Sequence, residues 1–505
     1  MDDRPVIVVG AGPVGLTMAL SLAAQGVRSV VLDDDETFAR EGSRSICVQA
    51  HTLAIAGRLG CGRIAAEGVS WHVGHTYYRG RQLFQNVIPD VGAEELPRFV
   101  NIPQSRVEEI LLEAVEASPL TEVAWRHRVT GLEQDASGVT VHAAGPQGST
   151  SVRGSYAVGC DGGRSAIRQL TGIGFPGEDH VDRFLIADVR ADLPFPNERR
   201  FFFDPPFNPG RQVLVHPQPD GVWRVDWQVA RAVDVDHERR SGALDLRIRA
   251  AIGDVAYRIV WVSSYVFHQR LAQRFRSGRV FLAGDAAHLM SVFGARGMNS
   301  GMQDADNLGW KLALVLAGKA PDALLDSYDH ERRAAAAENL RITGRTMRFM
   351  APPSWRARVY REAVLRGAAR IRALRRFVDS GRLSEPFVYR DSPIVTGAGA
   401  GSSAGEVAHN VPVTTLDGVP GRLAARVGPG FLAVLAGDGH GAARAFGDAA
   451  AALEVPTEIV TAASYPGAAA GTLVLVRPDA HVAELVPGCR PGQLGGCVAR
   501  ACAGA

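Results

Sequence analysis

Residues 6–33 read VIVVGAGPVGLTMALSLAAQGVRSVVLD, which predicts a strand, a tight turn, a helix and a second strand. The first apolar run ends at Gly10, and Gly12 and Gly15 complete the pattern G-x-G-x-x-G. The first glycine of this pattern permits the turn, the second lets the backbone approach a pyrophosphate, and the third lets the helix pack on the strand. The stretch therefore predicts a Rossmann-like βαβ unit.

The second half of this unit supplies two further signals. Gly26 is a natural left-handed helix end, and the strand that follows it leads to Asp33. The helix N-terminus would offer N–H groups and the positive end of its dipole to phosphates, while Asp33 is placed to accept a hydrogen bond from a ribose hydroxyl. The glycine pattern alone is weak evidence because glycine turns are common. Two strands, a helix and an acid in this order predict dinucleotide binding rather than a plain βαβ unit.

The composition limits the class of protein. A chain of 505 residues is too long for one ordinary core, which predicts two or three domains. With 46% hydrophobic and 21% charged residues it resembles a soluble globular protein, and a net charge of +2 gives no reason to expect a nucleic-acid partner.

The six cysteines are scattered without the spacing of a zinc site, so we expect no metal and a reducing, cytoplasmic environment. The start MDDRPVIVVG predicts no signal peptide, and no run reaches the roughly 20 apolar residues of a membrane span.

Two later strand ends also carry an acid among glycines. One apolar run leads to CDGGRS at 160–165, with Asp161, a pattern that an ordinary turn would explain equally well. The run RVFLA leads to GDAAHLMSVFGARGMNSG at 284–301, with Asp285, and a helix is expected from about 300 to 317. This second junction raises the question of what ligand needs one acid and so much bare backbone.

The middle of the chain, from about 175 to 274, changes to a period of two, which is typical of a half-buried antiparallel sheet. In GVWRVDWQVA at 221–230 the two faces of one strand differ, with Trp223, Val225, Trp227 and Val229 on one face and Arg224, Asp226 and Gln228 on the other. The apolar face predicts packed core. The polar face either forms the wall of a pocket or meets water, and the pattern favours neither.

The remaining segments differ in composition. NIPQSRVEEILLEAVEAS predicts a helix in which Ser105 and Glu108 are spaced as a capping box. An arginine-rich helical stretch at 354–382 is interpreted as a solvated helix face rather than a site for an anionic membrane. The segment 394–412 is rich in glycine, alanine and serine, which predicts a linker. Beyond it, GPGFLAVLAG and GTLVLVRPDAHVAEL predict strands of a separate C-terminal domain.

Three motifs stand out along the chain: GAGPVG at 10–15, CDGGRS at 160–165 and GDAAHLMSVFGARGMNSGMQDADN at 284–307. Together they resemble those of the flavoprotein aromatic hydroxylases built like para-hydroxybenzoate hydroxylase. Three further runs are similar to the 3-(3-hydroxyphenyl)propionate hydroxylase group: RLAQRF at 270–275, WKLALVLAGKAPDALLDSYDHERR at 310–333 and LVRPDAHVAEL at 475–485. The resemblance covers nearly the whole chain and is weakest at about 185–260.

The resemblance implies an α/β fold with a discontinuous first domain. A Rossmann-like FAD-binding domain would be interrupted by an inserted antiparallel-sheet domain that binds substrate. A helical segment and a linker would lead to a C-terminal domain that resembles thioredoxin but has no C-x-x-C. The expected boundaries are 1–174 and 275–345 for the FAD-binding domain, 175–274 for the substrate-binding domain, 346–392 for the helical segment, 393–409 for the linker and 410–505 for the C-terminal domain.

The same resemblance implies FAD as the cofactor and NADPH or NADH as a transient electron donor. Asp285 would bond the ribityl or pyrophosphate part of FAD. Backbone N–H groups of Gly297, Met298 and Asn299, at a helix start, would face the pyrimidine edge of the flavin, which is anionic when reduced. Side chains would obstruct that approach, which explains the bare backbone. The expected cofactor-binding residues are Gly10, Gly12, Pro13, Val14, Gly15, Asp33, Asp34, Arg44, Ser45, Gln104, Val129, Asp161, Gly162, Asp285, Gly294, Gly297, Met298 and Asn299.

Other residues of this loop have different expected roles. His288 is interpreted as a structural histidine that caps the turn. Family members often carry proline at the place of Ser291 and sometimes at that of Val292, and proline stiffens the backbone. Here the chain keeps its N–H groups at both positions, so we expect a looser loop at the flavin face.

The resemblance also implies a monooxygenase reaction. NAD(P)H would reduce FAD, O2 would add at the flavin C4a position to give a flavin hydroperoxide, and a hydroxyl group would pass to a phenolic or related aromatic ring. His216 and Asp226 are candidates to assist the loss of the phenolic proton, although core or surface roles would explain both equally well. Phe293 is a candidate for the pocket wall.

Two alternatives stay open at this point. A flavoenzyme of the same fold could insert oxygen beside a ketone, as in a Baeyer–Villiger reaction, or carry out redox chemistry without oxygenation. A flavin-binding protein without turnover is the alternative from a different class. The expected partners are a small aromatic substrate and O2, without nucleic acid or membrane, and a homodimer is left open.

Overall fold

The computed structural model describes residues 4–38, 45–89, 95–291, 293–378, 385–397, 399, 401–437 and 440–503. Up to residue 174 the elements are β1 (Val6–Val9), α1 (Pro13–Ala24), β2 (Ser29–Leu32), β3 (Cys47–Gln49), α2 (Ala50–Arg58), α3 (Arg63–Glu67), β4 (Val73–Tyr78), β5 (Arg81–Val87), β6 (Phe99–Asn101), α4 (Gln104–Ala117), β7 (Thr121–Ala124), β8 (Arg128–Gln134), β9 (Val139–Gly145), β10 (Gly148–Gly154), β11 (Ala157–Gly159) and α5 (Ala166–Leu170). The middle contains β12 (Gly177–Ala191), β13 (Arg199–Phe203), β14 (Gln212–Pro217), β15 (Val222–Val229), α6 (Val235–Arg240), α7 (Ala243–Ile252), β16 (Tyr257–Leu271), β17 (Arg276–Ser277), β18 (Val280–Leu282), β19 (His288–Leu289), α8 (Gly297–Leu316), α9 (Asp326–Met350) and α10 (Trp355–Ala368). The last part contains β20 (Pro412–Thr415), β21 (Pro420–Arg422), β22 (Phe431–Ala436), α11 (His440–Ala451), β23 (Thr457–Ala462), β24 (Thr472–Val476), β25 (Val482–Pro487) and α12 (Leu494–Ala503).

A six-stranded sheet carries the opening motif, in the order β17-β18-β11-β1-β2-β7. All its neighbouring pairs are parallel except β17 with β18. Every residue of β1 is buried, as expected for a parallel strand covered by helices on both faces. Helices α1 and α8 pack closely together, since a Cβ on Gly309 would lie 2.8 Å from the Ser21 Cβ. The predicted strand–turn–helix–strand order is confirmed.

The carboxyl ends of four parallel strands meet at one edge of this sheet. Gly10 follows β1, Asp33 follows β2, Asp161 lies two residues after β11, and Asp285 lies three residues after β18. Residues more than 100 positions apart thus come together because parallel strands end on the same side. Ligand sites in open α/β sheets lie at this edge.

An eight-stranded sheet, in the order β19-β16-β12-β15-β14-β13-β4-β5, lies beside that edge. On one face, the tryptophans and valines of β15 pack with α7 in a single apolar core. Ile186 pairs with Asp226, and Asp226 pairs with Leu214, so these three side chains share the opposite face. The predicted alternation of an apolar and a polar face is therefore confirmed, but the strand is not half-buried, because Arg224 and Gln228 on the polar face are buried as well.

The C-terminal sheet has the order β21-β20-β23-β22-β24-β25. The predicted strands in 428–437 and 471–485 are confirmed as β22, β24 and β25. The segment predicted as a linker is hydrogen-bonded to this sheet, because Thr396 N donates to Ala483 O at 2.9 Å and Gly405 N donates to Val482 O at 2.8 Å. Glycine-rich composition therefore does not make it a free tether.

Two helix starts differ from what the local patterns indicate. Helix α4 begins at Gln104 after Pro103, so Ser105 lies inside the helix and forms no capping box with Glu108. Helix α8 begins at Gly297, about three residues before the start expected from the apolar pattern and at the helix start that the family resemblance implies. Among the helices that the structure describes, none combines the length and the apolar composition needed to cross a membrane.

Candidate functional site

A cavity of about 800 Å³ joins the carboxyl edge of the parallel sheet to the polar face of the eight-stranded sheet. Its volume lies within the usual range for ligand sites, roughly 300–1,000 Å³. One end is lined by the glycine turn after β1, and the other by strands β12, β14 and β15. A dinucleotide and a second ligand could therefore share one continuous space.

The glycine turn leaves bare backbone at the cavity. Gly10 has φ +104°, and a Cβ there would lie 2.5 Å from the Cys160 carbonyl oxygen. A Cβ on Gly15 would lie 1.8 Å from the Gly10 carbonyl oxygen, so the helix could not pack against the turn. A Cβ on Gly12 would meet no atom within 4 Å, and this residue lines the cavity. Gly12 is also the N-cap of α1, where no side chain caps the helix, so the first N–H groups are available to an anion.

The acids at the strand ends differ in how they are paired. Asp33 Oδ2 accepts a hydrogen bond from Ala11 N, and its Oδ1 accepts one from Asp35 N at 2.9 Å. Asp161 Oδ2 accepts from Ile167 N at 3.1 Å, but its buried Oδ1 has no hydrogen-bond partner among the described residues. Burial raises the pKa of Asp161. A buried oxygen of this kind at a cavity wall fits a ligand that donates hydrogen bonds, as the hydroxyl groups of FAD would.

The loop before α8 is braced by polar side chains. Asn299 Nδ2 donates to Cys47 O at 2.8 Å and to Ala295 O at 2.7 Å, while its Oδ1 accepts from Gln49 N at 2.9 Å. Gln49 Nε2 donates to Gly294 O at 3.1 Å and to Ala295 O at 3.1 Å. Ala295 has φ +51°, a conformation that costs free energy without glycine, so these bonds hold the loop in an otherwise unfavourable shape.

His288 is fully buried, and its Nε2 lies 2.7 Å from Asp304 Oδ2. The same carboxylate accepts from Gly284 N at 2.9 Å and from Arg332 Nε at 2.7 Å. His288 therefore supports the turn that carries Asp285, in agreement with its interpretation as a structural histidine.

The far end of the cavity has an apolar wall. Phe184, Ile186, Leu214 and Phe293 line it and belong to one apolar core. The rings of Phe184 and Phe293 meet edge to face, with centroids 5.5 Å apart. Aromatic and aliphatic walls of this kind suit a planar apolar ligand and exclude water.

Polar side chains form the rest of the cavity wall at the end lined by β12, β14 and β15. Arg224 is paired with Asp188 through two hydrogen bonds of 2.8 Å, so its charge is balanced in the protein. Asp226 Oδ1 is shielded and has no hydrogen-bond partner among the described residues, and burial raises the pKa of Asp226 to about 7. Burial, with Arg199 and Arg224 nearby, holds the pKa of His216 well below its ordinary value. At neutral pH the end therefore offers a neutral imidazole and a carboxyl near its midpoint.

The structure brings most of the predicted residues together. His216, Asp226 and Phe293 line the cavity, as do fifteen of the expected cofactor residues: Gly10, Gly12, Pro13, Val14, Asp33, Asp34, Ser45, Gln104, Val129, Asp161, Gly162, Asp285, Gly294, Gly297 and Met298. Gly15 lies behind the turn, Asn299 braces the loop, and Arg44 lies outside the described residues. Their roles in binding stay predictions. Sequence reasoning missed Gln49 and Arg199, for which no local motif gives a signal.

A Rossmann-like sheet whose glycine turn opens into a cavity shared with a second sheet defines a dinucleotide-binding protein with room for another ligand. The model of the FAD binding domain family matches residues 3–343. The chain belongs to this family, that of the FAD-dependent aromatic hydroxylases.

Three comparisons describe its similarity to known proteins. The 3-(3-hydroxy-phenyl)propionate/3-hydroxycinnamic acid hydroxylase of Mycolicibacterium smegmatis is 35% identical over 381 residues, which cover 74% of this chain and 66% of that protein. The structure of the OxyS anhydrotetracycline hydroxylase from Streptomyces rimosus has a TM-score of 0.73 at 30% identity, covering 99% of this chain and 98% of that one. The structure of the flavin-dependent monooxygenase PieE has a TM-score of 0.83 at 24% identity, covering 99% and 98%, which shows the fold alone. The chain spans just under two thirds of the length of the mycobacterial relative.

Proposed function

We propose that the protein is a flavin-dependent monooxygenase that hydroxylates a phenolic or related aromatic compound with NAD(P)H and O2. The observation that carries this proposal is the single cavity that joins the dinucleotide turn to an aromatic pocket. The names of the two relatives above 25% identity support it, since both are hydroxylases and one acts on a hydroxyphenyl acid.

The cofactor end fits FAD. The N-terminus of α1 would receive the pyrophosphate, Asp33 would accept from the adenosine ribose, and Asp161 and Asp285 would accept from hydroxyl groups of the ribityl chain. When bound, FAD supplies electron transfer from NAD(P)H and the activation of O2. The residues of this chain bind and orient it, and they exclude water.

The N-terminus of α8 would lie at the pyrimidine edge of the flavin. Gly297 and Met298 line the cavity and open a helix of 20 residues whose first N–H groups have no intrahelical partner. Their partial positive charge would favour a negative flavin over a neutral one. A Cβ on Gly297 would lie 4.0 Å from Asp285 Oδ1, so packing within the protein does not require glycine here, whereas a flavin edge close to this backbone would.

At the substrate end, Asp226 would accept a hydrogen bond from the ring hydroxyl group. Its shielded Oδ1 has no other hydrogen-bond partner among the described residues, and a pKa of about 7 suits a group that takes up a proton at neutral pH. His216 is the second candidate, because a neutral imidazole can also accept a proton. Phe184 and Phe293 would hold the ring and keep water out.

We also propose the finer organisation of the chain. The boundaries given above stay a proposal, and the separate apolar core that β15 forms with α7 supports 175–274 as the main part of a substrate-binding domain. Strands β4, β5 and β19, which lie outside this range, also belong to the eight-stranded sheet. A thioredoxin-like C-terminal domain is supported by the parallel pair β22 and β23 around α11, followed by antiparallel β24 and β25 and then α12. A cytoplasmic location and a homodimer stay predictions.

A screen of phenols for stimulated NAD(P)H oxidation tests the proposed function. We expect at least one phenol to accelerate NAD(P)H oxidation and to yield a product with one added oxygen on the ring. A lactone or a product without added oxygen would favour the two alternatives within the fold. No stimulation by any phenol, in a protein that binds FAD, would favour a flavin-binding protein without turnover.

Asp226→Asn tests the substrate end. The variant should retain FAD and lose most of the phenol-stimulated rate, roughly a hundredfold, as when a general base is removed. Asp254→Asn is a matched control, because the Asp254 side chain is 92% exposed at the surface. If Asp226→Asn keeps the parental rate, Asp226 is not the proton acceptor. The proton acceptor would then be His216, or no side chain would serve as one.

A further inference from the structure

The loop 477–481, which connects β24 to β25, is buried against two helices of the FAD-binding part. Arg477, Asp479 and His481 are 0%, 1% and 4% exposed, although the loop is polar. Burying charged groups is costly unless they are paired. Their partners therefore indicate what this loop is for.

Arg477 is paired with two carboxylates. Its Nη1 donates to Glu331 Oε1 at 2.6 Å, its Nη2 donates to Glu331 Oε2 at 2.9 Å, and Asp479 also accepts from it. The fork of the guanidinium fixes both the distance and the angle between the loop and α9.

The same cluster includes α8. Asn307 Nδ2 donates to Asp479 Oδ2 at 3.0 Å and to Glu331 Oε2 at 2.7 Å. Lys311 Nζ donates to Glu331 Oε2 at 2.8 Å and to Asn307 Oδ1 at 2.8 Å. Two cations and two anions are thus balanced in a site closed to water, and the loop joins α8 to α9.

Arg332, the residue after Glu331, is linked through Asp304 to the turn that carries Asp285. Arg332 Nε donates to Asp304 Oδ1 at 2.7 Å, and Asp304 Oδ2 accepts from Gly284 N at 2.9 Å. Arg332 Nη2 also donates to Ser300 O, in the first turn of α8, at 3.1 Å. The backbone beside Asp285 and the start of α8 are therefore held by the helix to which Arg477 is bound.

A second connection runs through Tyr389. Its hydroxyl accepts from Arg332 Nη1 at 2.7 Å, and its ring lies 4.4 Å from the ring of His481. Loop 477–481 thus also supports Arg332 through the contact of His481 with Tyr389.

We propose that loop 477–481 positions the FAD site. Helix α8 is a rigid rod from Gly297 to Leu316, so fixing Asn307 and Lys311 also fixes the N–H groups at its start. The C-terminal sheet accordingly retains the cofactor, although Glu331 and Asn307, to which its loop is hydrogen-bonded, are not among the residues that we assign to FAD. This role does not depend on which substrate or reaction the protein has.

Two conservative changes in the full-length holoprotein test this role. Arg477→Lys keeps the charge but loses the two-pronged contact with Glu331, and Asp479→Asn keeps the shape but loses the charge. Arg426→Gln is the control, because Arg426 belongs to the same C-terminal sheet region and pairs with Glu458 at the surface. The measurements are the rate of FAD release, followed by flavin fluorescence, the Kd for FAD, the visible circular dichroism of bound flavin, and the melting temperature.

We expect both variants to release FAD roughly tenfold faster and to bind it roughly tenfold more weakly, with an altered flavin dichroism band. Arg426→Gln should match the parent in all three flavin measurements. Variants with a lower melting temperature but the parental Kd and dichroism would overturn the proposal, since the loop would then serve stability alone. Failure of both variants to fold, where the control folds, would overturn it in the same way.

Discussion

The carboxyl group of Asp226 should make the stability of the protein depend on pH in a defined direction. Burial raises its pKa from 3.8 to about 7, and Asp188 adds to the rise while Arg224 opposes it. The unfolded chain ionises this carboxyl first as pH rises. The folded state therefore loses stability from about pH 4, and the loss is complete above about pH 7.

The magnitude follows from the same values. Each pKa unit corresponds to about 1.4 kcal/mol, so the rise to about 7 corresponds to about 4 kcal/mol of lost stability at pH 8. The Asp226 side chain is only partly buried, so residual screening by solvent reduces this cost to about 2 kcal/mol. At pH 5 the same calculation gives about 1.5 kcal/mol, because the folded carboxyl is still largely protonated.

Asp226→Asn removes this cost while it keeps the size of the side chain. The variant should exceed the parent in free energy of unfolding by about 1.5 kcal/mol at pH 5 and by about 2–4 kcal/mol at pH 8. Urea denaturation of both proteins at the two pH values, at one saturating FAD concentration, measures this difference. The exposed variant Asp254→Asn should show no such change. An advantage of Asp226→Asn that is absent, or that shrinks as pH rises, would refute a carboxyl with a raised pKa at this position.

Three further predictions concern the cofactor and the C-terminal sheet. Asp285→Ala should weaken FAD binding by roughly 1.5–3 kcal/mol, the contribution of a hydrogen bond to a charged group, and an unchanged Kd would remove Asp285 from the site. The C-terminal sheet should have no thiol–disulfide activity, because burial raises the pKa of Cys489 and raises that of Cys497 to about 12; reductase activity that disappears in Cys497→Ser would contradict this. The parent should consume NAD(P)H beyond the product formed, since residue 291 is not proline, and Ser291→Pro should bring product per NAD(P)H closer to one if the backbone there already suits proline. A parent already coupled near one would show that Ser291 does not loosen the loop.

The sequence by itself determined the parts of the fold that depend on neighbours along the chain. The glycines at 10, 12 and 15 indicated the turn, because the need for bare backbone at a tight strand-to-helix turn arises within a few residues of the chain. The alternation in β15 indicated a two-faced strand, because side chains of an extended chain point to opposite sides in turn. The acids at 33, 161 and 285 were expected at one site because of the family resemblance, and the common edge at which parallel strands end explains why they meet.

Only the tertiary structure decided what the polar side chains do. The polar face of β15 lines a cavity because β14 and β12 place Leu214 and Ile186 beside Asp226, a result that one strand does not encode. The sequence predicts a role for the backbone N–H of Asn299 at the flavin. In the structure its side chain braces the loop before α8 by donating to Cys47 O, 252 residues away. Arg477 pairs with Glu331 at a separation of 146 residues, and this buried contact exists only after the C-terminal sheet has packed against α9. The strength of a hydrogen bond or an ion pair depends on the distance between its atoms and on their burial. Spacing along the chain determines neither of these quantities.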